Sequence, residues 1–215
     1  IEKKDLFFEK LYVYEVTKTP LLKRLSAKGI RCLRYFSKGK RGLIHTAILK
    51  EKKIAIKTPN PSSEAPAAIE LEASALKKAN SLGIGPRFIS SGEGFVILSF
   101  IEGKTIEEKL PELSSPKTLS IFRTILQKML ILDQAQLQKE EMHHPWKHVI
   151  ITPDNKPVLL DFERMQYSKD PKNITQFCQF ITSRRVKIML KDKSISVEEK
   201  EILDSLVYCK NLSED

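Results

Sequence analysis

The sequence predicts an α+β fold in two parts, in which a small β-rich half precedes a mainly helical half. Three short segments between residues 30 and 57 alternate apolar and polar side chains and are joined by tight turns, as in an antiparallel meander. After Ser115-Pro116, apolar residues recur instead at helical spacing. The chain has 215 residues, 41% of them hydrophobic, which is enough for one domain or two small lobes. We expect the boundary between the halves near residues 99–103.

The segment before the first strand is predicted to be an N-terminal helical extension over residues 1–29. Its apolar and aromatic residues indicate a helix over residues 5–18. Thr19-Pro20 is typical of an N-cap followed by proline at the first helical position, and the short helix that follows would end at Gly29.

The β-rich half, residues 30–98, contains the predicted sheet. Its strands are expected at residues 30–36, 43–49, 53–57 and 95–100. In the third strand Ile54 and Ile56 share one face, so Lys57 lies on the opposite face, because side chains alternate along a strand. After a loop that contains three prolines, a helix is predicted to run to about Asn80.

The second half, residues 99–215, is predicted to be mainly helical. A long helix is expected from Ser115, as its cap, to about Gln138. Two short strands at residues 148–152 and 157–160 form a hairpin, and the remainder is predicted to be helical. Ser196-Val197-Glu198-Glu199 is a capping box for the last helix.

The net charge of +10 favours polyanionic partners, namely nucleotides, nucleic acid such as RNA, ribonucleoprotein particles or acidic membranes. A solvated surface with a surplus of lysine is the alternative. Cys32, Cys178 and Cys209 are far apart and form no CxxC pair, so the sequence predicts neither a disulfide framework nor a zinc site. Free thiols fit a reducing cytoplasm, which is the predicted location. No apolar run approaches the length of a membrane span, and the first residues do not resemble a signal peptide.

Lys57 and Glu72 are the first candidate site residues. On a helical projection of the helix that ends near Asn80, Glu72 falls inside the edge of the apolar stripe. A carboxylate on a buried stripe needs a cationic partner, and Lys57 is a candidate. Such a pair can position a lysine on the phosphate oxygens of ATP. The alternative is a surface lysine and a glutamate that extends into water.

Gly39 and Gly42 lie in a turn beside basic residues. A glycine-bearing hairpin can cover phosphates with backbone N–H groups, although an ordinary hairpin turn explains the same residues.

Asp161 follows the apolar strand Val158-Leu159-Leu160 and precedes Phe162-Glu163. An acidic residue at a strand end can hold Mg²⁺ together with substrate phosphates, and Glu163 is a candidate second ligand or base. An ordinary strand-ending aspartate is the alternative.

The segment from His143 to His148 holds three of the four histidines and the only tryptophan. Adjacent histidines splay apart, and no HExxH pattern accompanies them, so zinc is not predicted. Lys147 and His148 precede the strand that pairs with the one before Asp161. We therefore expect both residues to face the same site as Asp161.

Taken together, these residues resemble the protein-kinase-like superfamily over about residues 30–180. Lys57 resembles its third-strand lysine, Glu72 its helix-C glutamate, and Asp161-Phe162-Glu163 its DFG metal motif. The segment FVILSFIEG, residues 95–103, resembles the strand and hinge that hold adenine, which implies backbone contacts from Ser99 and Ile101. HPWKHVII, PVLLDFER and residues 172–177 are similar to a small archaeal family of predicted Ser/Thr protein kinases, distantly related to RIO-type and lipopolysaccharide-type kinases.

The resemblance has three departures. No HRD-type aspartate is visible: His148 falls where a metal-binding Asn stands, and His143 falls at the catalytic Asp. His143 could serve as base because the pKa of histidine lies near neutrality, and Glu140 or Glu141 are alternatives. The glycine of DFG is Glu163, and no APE motif follows, so the C-terminal lobe is expected to be small.

The resemblance implies a bilobal kinase-like fold and transfer of the γ-phosphoryl group of Mg-ATP to a protein Ser or Thr. Catalytic roles would fall to Asp161, His143 and Lys147. ATP would be held by Lys57, Glu72, Gly39, Gly42, Ser99 and Ile101. Mg²⁺ would be held by Asp161, His148 and Glu163. The alternatives are a nucleotide-binding pseudokinase or scaffold without transfer, a small-molecule or RNA-linked phosphotransferase, and a nucleic-acid-binding protein without a nucleotide site.

Overall fold

The structure is a computed structural model that describes residues 20–39, 42–60, 68–198 and 200. Over these residues the fold is α+β, with a five-stranded antiparallel sheet and six α-helices. The chain divides into two compact units: residues 1–80 with 86–100, and residues 81–85 with 101–215. None of the helices among these residues has the length and low polarity that crossing a membrane requires.

The first unit is built around the five-stranded sheet, in the order β1-β2-β3-β5-β4. Its elements are α1 (Pro20–Ala27), β1 (Arg31–Lys38), β2 (Gly42–Leu49), β3 (Lys52–Pro59), α2 (Ala68–Ser81), β4 (Phe88–Gly92) and β5 (Phe95–Ser99). The predicted meander is therefore present, and each of its strands extends one or two residues further than the sequence predicts at one end or both. Helix α1 begins at Pro20, and Gly29 follows it with a φ of 75°.

The two faces of this sheet are covered by different helices. On one face, Ile54, Ile56 and Ile97 form a core with Leu25 of α1. On the other face, Val96 packs against Ile69 and Ala73 of α2. The alternation of β3 thus separates its two isoleucines from Lys57, as its sequence predicts.

His45 in β2 is a buried titratable side chain, and its ring lies edge-on to that of Tyr35 at a centroid distance of 6.1 Å. Burial lowers the pKa of His45 from its usual value of 6.5. The unfolded chain therefore binds a proton at this position more readily than the folded chain does. Stability contributed by neutral His45 is present above pH 6.5 and is lost as the pH falls below it.

We therefore predict that His45→Gln makes the free energy of unfolding less dependent on pH between 7.5 and 5.5. A single group cannot contribute more than about 1.4 kcal/mol per pH unit to this slope. Urea titrations at several pH values measure it, and His144→Gln, which changes an exposed histidine, is the matched control. Equal slopes for the wild type and His45→Gln would contradict the prediction.

The second unit is mainly helical and holds two small sheets, β6-β8-β9 and β7-β10. Its elements are β6 (Lys104–Thr105), α3 (Ile106–Lys109), a 3₁₀ turn (Leu110–Glu112), α4 (Ser115–Gln134), β7 (Leu137–Gln138), a 3₁₀ turn (Pro145–Lys147), β8 (Val149–Ile151), β9 (Pro157–Leu159), β10 (Gln166–Tyr167), α5 (Asn173–Thr182) and α6 (Arg184–Lys191).

The core of the second unit lies between α4 and α5. Phe122 of α4 contacts Phe177 and Phe180 of α5 with its ring edge-on, and Trp146 contacts Phe180 in the same manner. At the start of α5, the fully buried Asn173 donates to Asp133 Oδ1 at 2.6 Å and accepts from the N–H of Lys139 at 2.7 Å. This polar network fixes the chain that follows α4 against the start of α5.

Three predictions for the second half were wrong in detail. The long helix ends at Gln134 rather than near Gln138, because Gln136 takes a left-handed conformation (φ 55°) and the next two residues form β7. Its N-cap is Ser114, not Ser115. The stretch between Asp161 and Lys172 is not helical, since Gln166 and Tyr167 pair with β7.

Other predictions lie outside the described residues. They are the helix over residues 5–18, the middle of the turn between Gly39 and Gly42, most of the loop before α2, Cys209, and the capping-box residue Glu199 with the last helix.

Candidate functional site

The first cluster of candidate site residues is an ion pair in the first unit, between β3 and α2. Lys57 Nζ lies 2.6 Å from Glu72 Oε2, and their side chains are only 14% and 7% exposed. The sheet register explains the pairing. Lys57 pairs with Val96 of β5, and the helix residue next to Glu72, Ala73, packs on Val96. Helix α2 thus lies over the face of β3 that carries Lys57.

Gly42 lies directly against the Lys57 side chain. A Cβ at this position would be 2.9 Å from Lys57 Cε and 3.1 Å from the carbonyl oxygen of Thr58. Any other residue would therefore displace the lysine or the neighbouring strand. Gly39 donates its N–H to the carbonyl of Gly42 at 2.8 Å, and the buried Asn60 donates to the carbonyl of Gly39 at 3.3 Å. Both predicted glycines thus lie at the hairpin that borders Lys57.

Ser99, predicted to contact adenine, is the last residue of β5. Its N–H donates to the carbonyl of Arg87 at 2.8 Å, and its hydroxyl accepts from the N–H of Arg87 at 2.9 Å. The amide donor of Ser99 is thus engaged with the carbonyl of Arg87. Ile101 belongs to the second unit and is half-buried outside any helix or strand.

The second cluster lies in the second unit, where β9 ends and Asp161 follows. Asp161 has a φ of 62°, a left-handed conformation that aspartate tolerates better than most residues. Its carbonyl oxygen accepts from Lys139 Nζ at 2.8 Å. The neighbouring Leu160 donates its N–H to the carbonyl of His148 at 2.8 Å, which extends the β8–β9 pairing and brings His148 beside Asp161.

His148 links Asp161 to Glu141. Its Nε2 lies 3.1 Å from Glu141 Oε2, and its Nδ1 lies 3.7 Å from Asp161 Oδ2. Burial lowers the pKa of His148, and the charge of Lys139 acts in the same direction, while Asp161, Glu141 and Glu163 oppose it. A neutral ring carries one N–H. We assign it to Nε2, which makes the shorter contact, so that Nδ1 faces Asp161 with its lone pair.

Glu141 lies at the centre of this cluster. Its other carboxylate oxygen, Oε1, accepts from Arg164 Nη1 at 2.9 Å, and Arg164 also lies 3.6 Å from Glu140. A small cavity is lined by these side chains together with Asp161, Glu163 and Met165. Glu141 therefore contacts the imidazole that faces Asp161, whereas its sequence position made it only an alternative to His143.

The other predicted residues of this segment are more exposed. His143 is an exposed side chain, and its ring contacts that of His144 edge-on at 4.6 Å. Lys147 is also exposed, at the end of the 3₁₀ turn before β8. Glu163 is half-buried and lines the cavity beside Asp161. The structure therefore brings Asp161, His148 and Glu163 together, and it leaves His143 and Lys147 at the surface.

Asp161 and Glu163 are the two carboxylates predicted to bind magnesium. Among the described residues, no three His, Cys, Asp or Glu side chains are arranged to enclose a metal ion by themselves. Magnesium is usually bound by one or two carboxylates, waters and substrate phosphates. The half-exposed carboxylate of Asp161 and the oxygens of Glu163 fit that pattern, which needs no three-residue set.

Lys139 is a site residue that sequence reasoning missed. It is 2% exposed, and its ammonium group lies 5.2 Å from the centre of the Phe162 ring as well as contacting the carbonyl of Asp161. Nothing in the sequence separates it from the many surface lysines, because its burial depends on the β7–β10 pairing and on Asn173.

We predict that Lys139→Met destabilises the protein by about 2 kcal/mol, because the part-buried carbonyl of Asp161 loses this charged donor while methionine keeps the apolar stem. Chemical denaturation measures the change. Lys147→Met, at an exposed lysine, is the control and should alter stability by less than about 0.5 kcal/mol. Equal effects of the two substitutions would show that the contact with Asp161 contributes nothing.

Comparisons with known proteins add no relative. No protein-family model matches the chain, and a search of curated proteins found no match either.

Proposed function

We propose that this chain is a protein-kinase-like phosphotransferase that moves the γ-phosphoryl group of Mg-ATP to a serine or threonine hydroxyl of a protein. The buried Lys57–Glu72 ion pair beside Gly42 is the observation that carries the proposal. A surface lysine does not require a buried carboxylate 2.6 Å away. A lysine that is positioned to bind phosphate oxygens does require one.

In this proposal Glu72 orients Lys57, and Lys57 binds phosphate oxygens of ATP. The side chain of Lys57 is 14% exposed, so its ammonium group can meet a ligand without leaving Glu72. Gly42 supports this geometry because a Cβ at this position would displace the Lys57 side chain. The backbone of the hairpin between Gly39 and Gly42 would contact the same phosphates.

In the second unit, Asp161 and Glu163 would hold the magnesium ion, together with His148, whose Nδ1 lone pair faces Asp161. Bound magnesium neutralises phosphate charge and polarises the phosphoryl group. Glu141 is the proposed base. It takes the proton of the acceptor hydroxyl, the hydroxyl oxygen forms a bond to the γ-phosphorus, and the bond to the β–γ bridging oxygen breaks to release ADP. Phosphoryl transfer depends mainly on positioning and charge, so glutamate in place of aspartate is compatible with it.

The test is transfer of label from [γ-³²P]ATP with magnesium to the protein itself and to a mixture of protein acceptors. We expect label on serine or threonine, lost in Glu141→Gln and retained in Glu140→Gln, the neighbouring matched control. If label appears only in RNA or in a small molecule, the phosphoryl acceptor belongs to that class and is not a protein. ATP binding without any transfer would contradict the proposed reaction.

A second candidate is a nucleotide-binding module that transfers nothing. One observation favours it: both carboxylate oxygens of Glu141 are engaged, Oε1 by Arg164 and Oε2 by His148. A carboxylate whose two oxygens already contact protein donors is less available to an acceptor hydroxyl. If Arg164→Gln creates transfer activity that the wild type lacks, this second function is supported.

A further inference from the structure

An apolar groove crosses the second unit, on the side of α4 that faces α5 and α6. Its volume is about 790 Å³. Its walls include Leu119, Phe122 and Leu126 of α4, Ile181 of α5 and Leu190 of α6. Leu119 is 52% exposed and Leu130, further along the same groove, is 40% exposed. The described residues leave this apolar groove uncovered, and a groove of this size on a folded protein indicates a binding surface.

The chain itself enters this groove. After α6, the N–H of Ile195 donates to the carbonyl of Leu190 at 2.9 Å, and Ile195, Ser196 and Val197 line one end of the groove. The residues that follow, 199 and 201–215, lie outside the described part of the chain. Whatever path they take, they start at the groove.

The sequence of this last segment matches such a groove. Ser196 is predicted to begin a helix, and apolar residues then recur at helical spacing: Ile202, Leu203, Leu206, Val207 and Cys209. These positions fall within one face of a helix, while Glu201, Asp204 and Ser205 fall on the other. A helix over residues 199–210 would be about 18 Å long, which is enough to lie along most of a four-turn stretch of α4.

Charge also favours this occupant. Residues 199–210 carry three acidic and two basic side chains, and the five residues after them add two acidic ones. The groove is lined by Arg123, and α6 presents Arg184, Arg185, Lys187 and Lys191 with no acidic residue. Arg123 in the lining of the groove is therefore complementary to the acidic side chains of this segment.

We propose that residues 199–210 of this same chain bind in the groove as an amphipathic helix, with Ile202, Leu203 and Leu206 on its apolar floor. The groove is then an intramolecular docking surface, separate from the residues proposed for phosphoryl transfer. Continuity of the chain supports this occupant, because the segment is tethered at the groove and its effective concentration there is high.

Cys178 offers a direct measurement, because it is a buried cysteine outside any disulfide and lines the groove. The rate at which N-ethylmaleimide modifies Cys178 is followed by mass spectrometry of its peptide. We expect modification to be about tenfold or more faster in the Leu203→Asp/Leu206→Asp variant and in a chain that ends at Glu198, and faster to a smaller extent in Leu206→Ala. A synthetic peptide of residues 197–211 should slow it again in the shortened chain.

Ile188→Asp is the matched control, since Ile188 is a 55% exposed apolar residue of α6 outside the groove lining, and its rate should equal that of the wild type. Circular dichroism checks that each variant is folded, and protection by the added peptide distinguishes an uncovered groove from an unfolded chain. Equal rates in the full-length and shortened chains would overturn the proposal. Protection that rises with protein concentration, together with a dimer in light scattering, would assign the groove to a second copy and also overturn it.

Discussion

Asp161→Asn is expected to reduce the rate of phosphoryl transfer by about 10³-fold while leaving the fold intact. The loss follows from the charge: an amide in place of the carboxylate binds magnesium weakly, and positioning of the phosphates fails with it. The fold should survive because asparagine, like aspartate, tolerates the left-handed conformation at φ 62°. The contact with Lys139 is also unaffected, because it is made by the main-chain carbonyl.

Steady-state transfer rates and thermal melting together measure this outcome. Asp154→Asn is the matched control, since Asp154 is an exposed aspartate in the β8–β9 turn that pairs with Lys156 at 2.8 Å. That control should retain the wild-type rate. If Asp161→Asn transferred phosphate as fast as the wild type, Asp161 would not be a magnesium ligand.

Lys57→Met is expected to destabilise the protein by about 3 kcal/mol, whereas Lys57→Met/Glu72→Leu should recover most of that loss. In the single variant, Glu72 is a 7% exposed carboxylate that has lost the cation 2.6 Å away. In the double variant an apolar side chain takes its place on α2, next to Ile69 and Ala73, which already pack on the sheet. Neither variant should bind Mg-ATP, so the double variant should regain stability without regaining ligand binding.

Urea denaturation of the wild type, both single variants and the double variant completes the double-mutant cycle. Lys53→Met is the control, because Lys53 lies on the same face of β3 but is exposed. It should cost less than about 1 kcal/mol, mainly through its contact with the Phe100 ring at 4.0 Å. A double variant as unstable as Lys57→Met would show that the pair is not the source of the loss.

Alternation and helical periodicity explain why much of the first unit is predictable from its sequence. The strands are short, are joined by tight turns and carry isoleucines on one face, which fixes the orientation of Lys57. The position of Glu72 on an apolar stripe of α2 indicates by itself that this carboxylate needs a buried cationic partner, and Lys57 is that partner. The predictions for Lys57 and Glu72 both depend on residues that are close in sequence, within one strand or one helix.

The site of the second unit is less predictable from the sequence, because it depends on contacts between residues that are far apart in the sequence. Lys139 is buried by a two-residue pairing with β10 and by Asn173, and such short strands have no periodic signal. Glu141 lies beside His148 because its backbone is left-handed, with a φ of 69°, and the turns after it fold back toward β8. An alignment by spacing therefore favours His143, whose ring the structure leaves exposed.

We expect Lys57 and Asp161 each to be required for the proposed binding of Mg-ATP, and a thermal-shift titration with Mg-ATP measures this requirement. At a tenfold excess over Kd, binding contributes about 1.4 kcal/mol and should raise the Tm of the wild type by about 3–6 °C. The Lys57→Met/Glu72→Leu and Asp161→Asn variants should show no shift, while Lys53→Met should match the wild type. An unchanged wild-type Tm at every concentration of Mg-ATP, or equal shifts in all four proteins, would contradict the account.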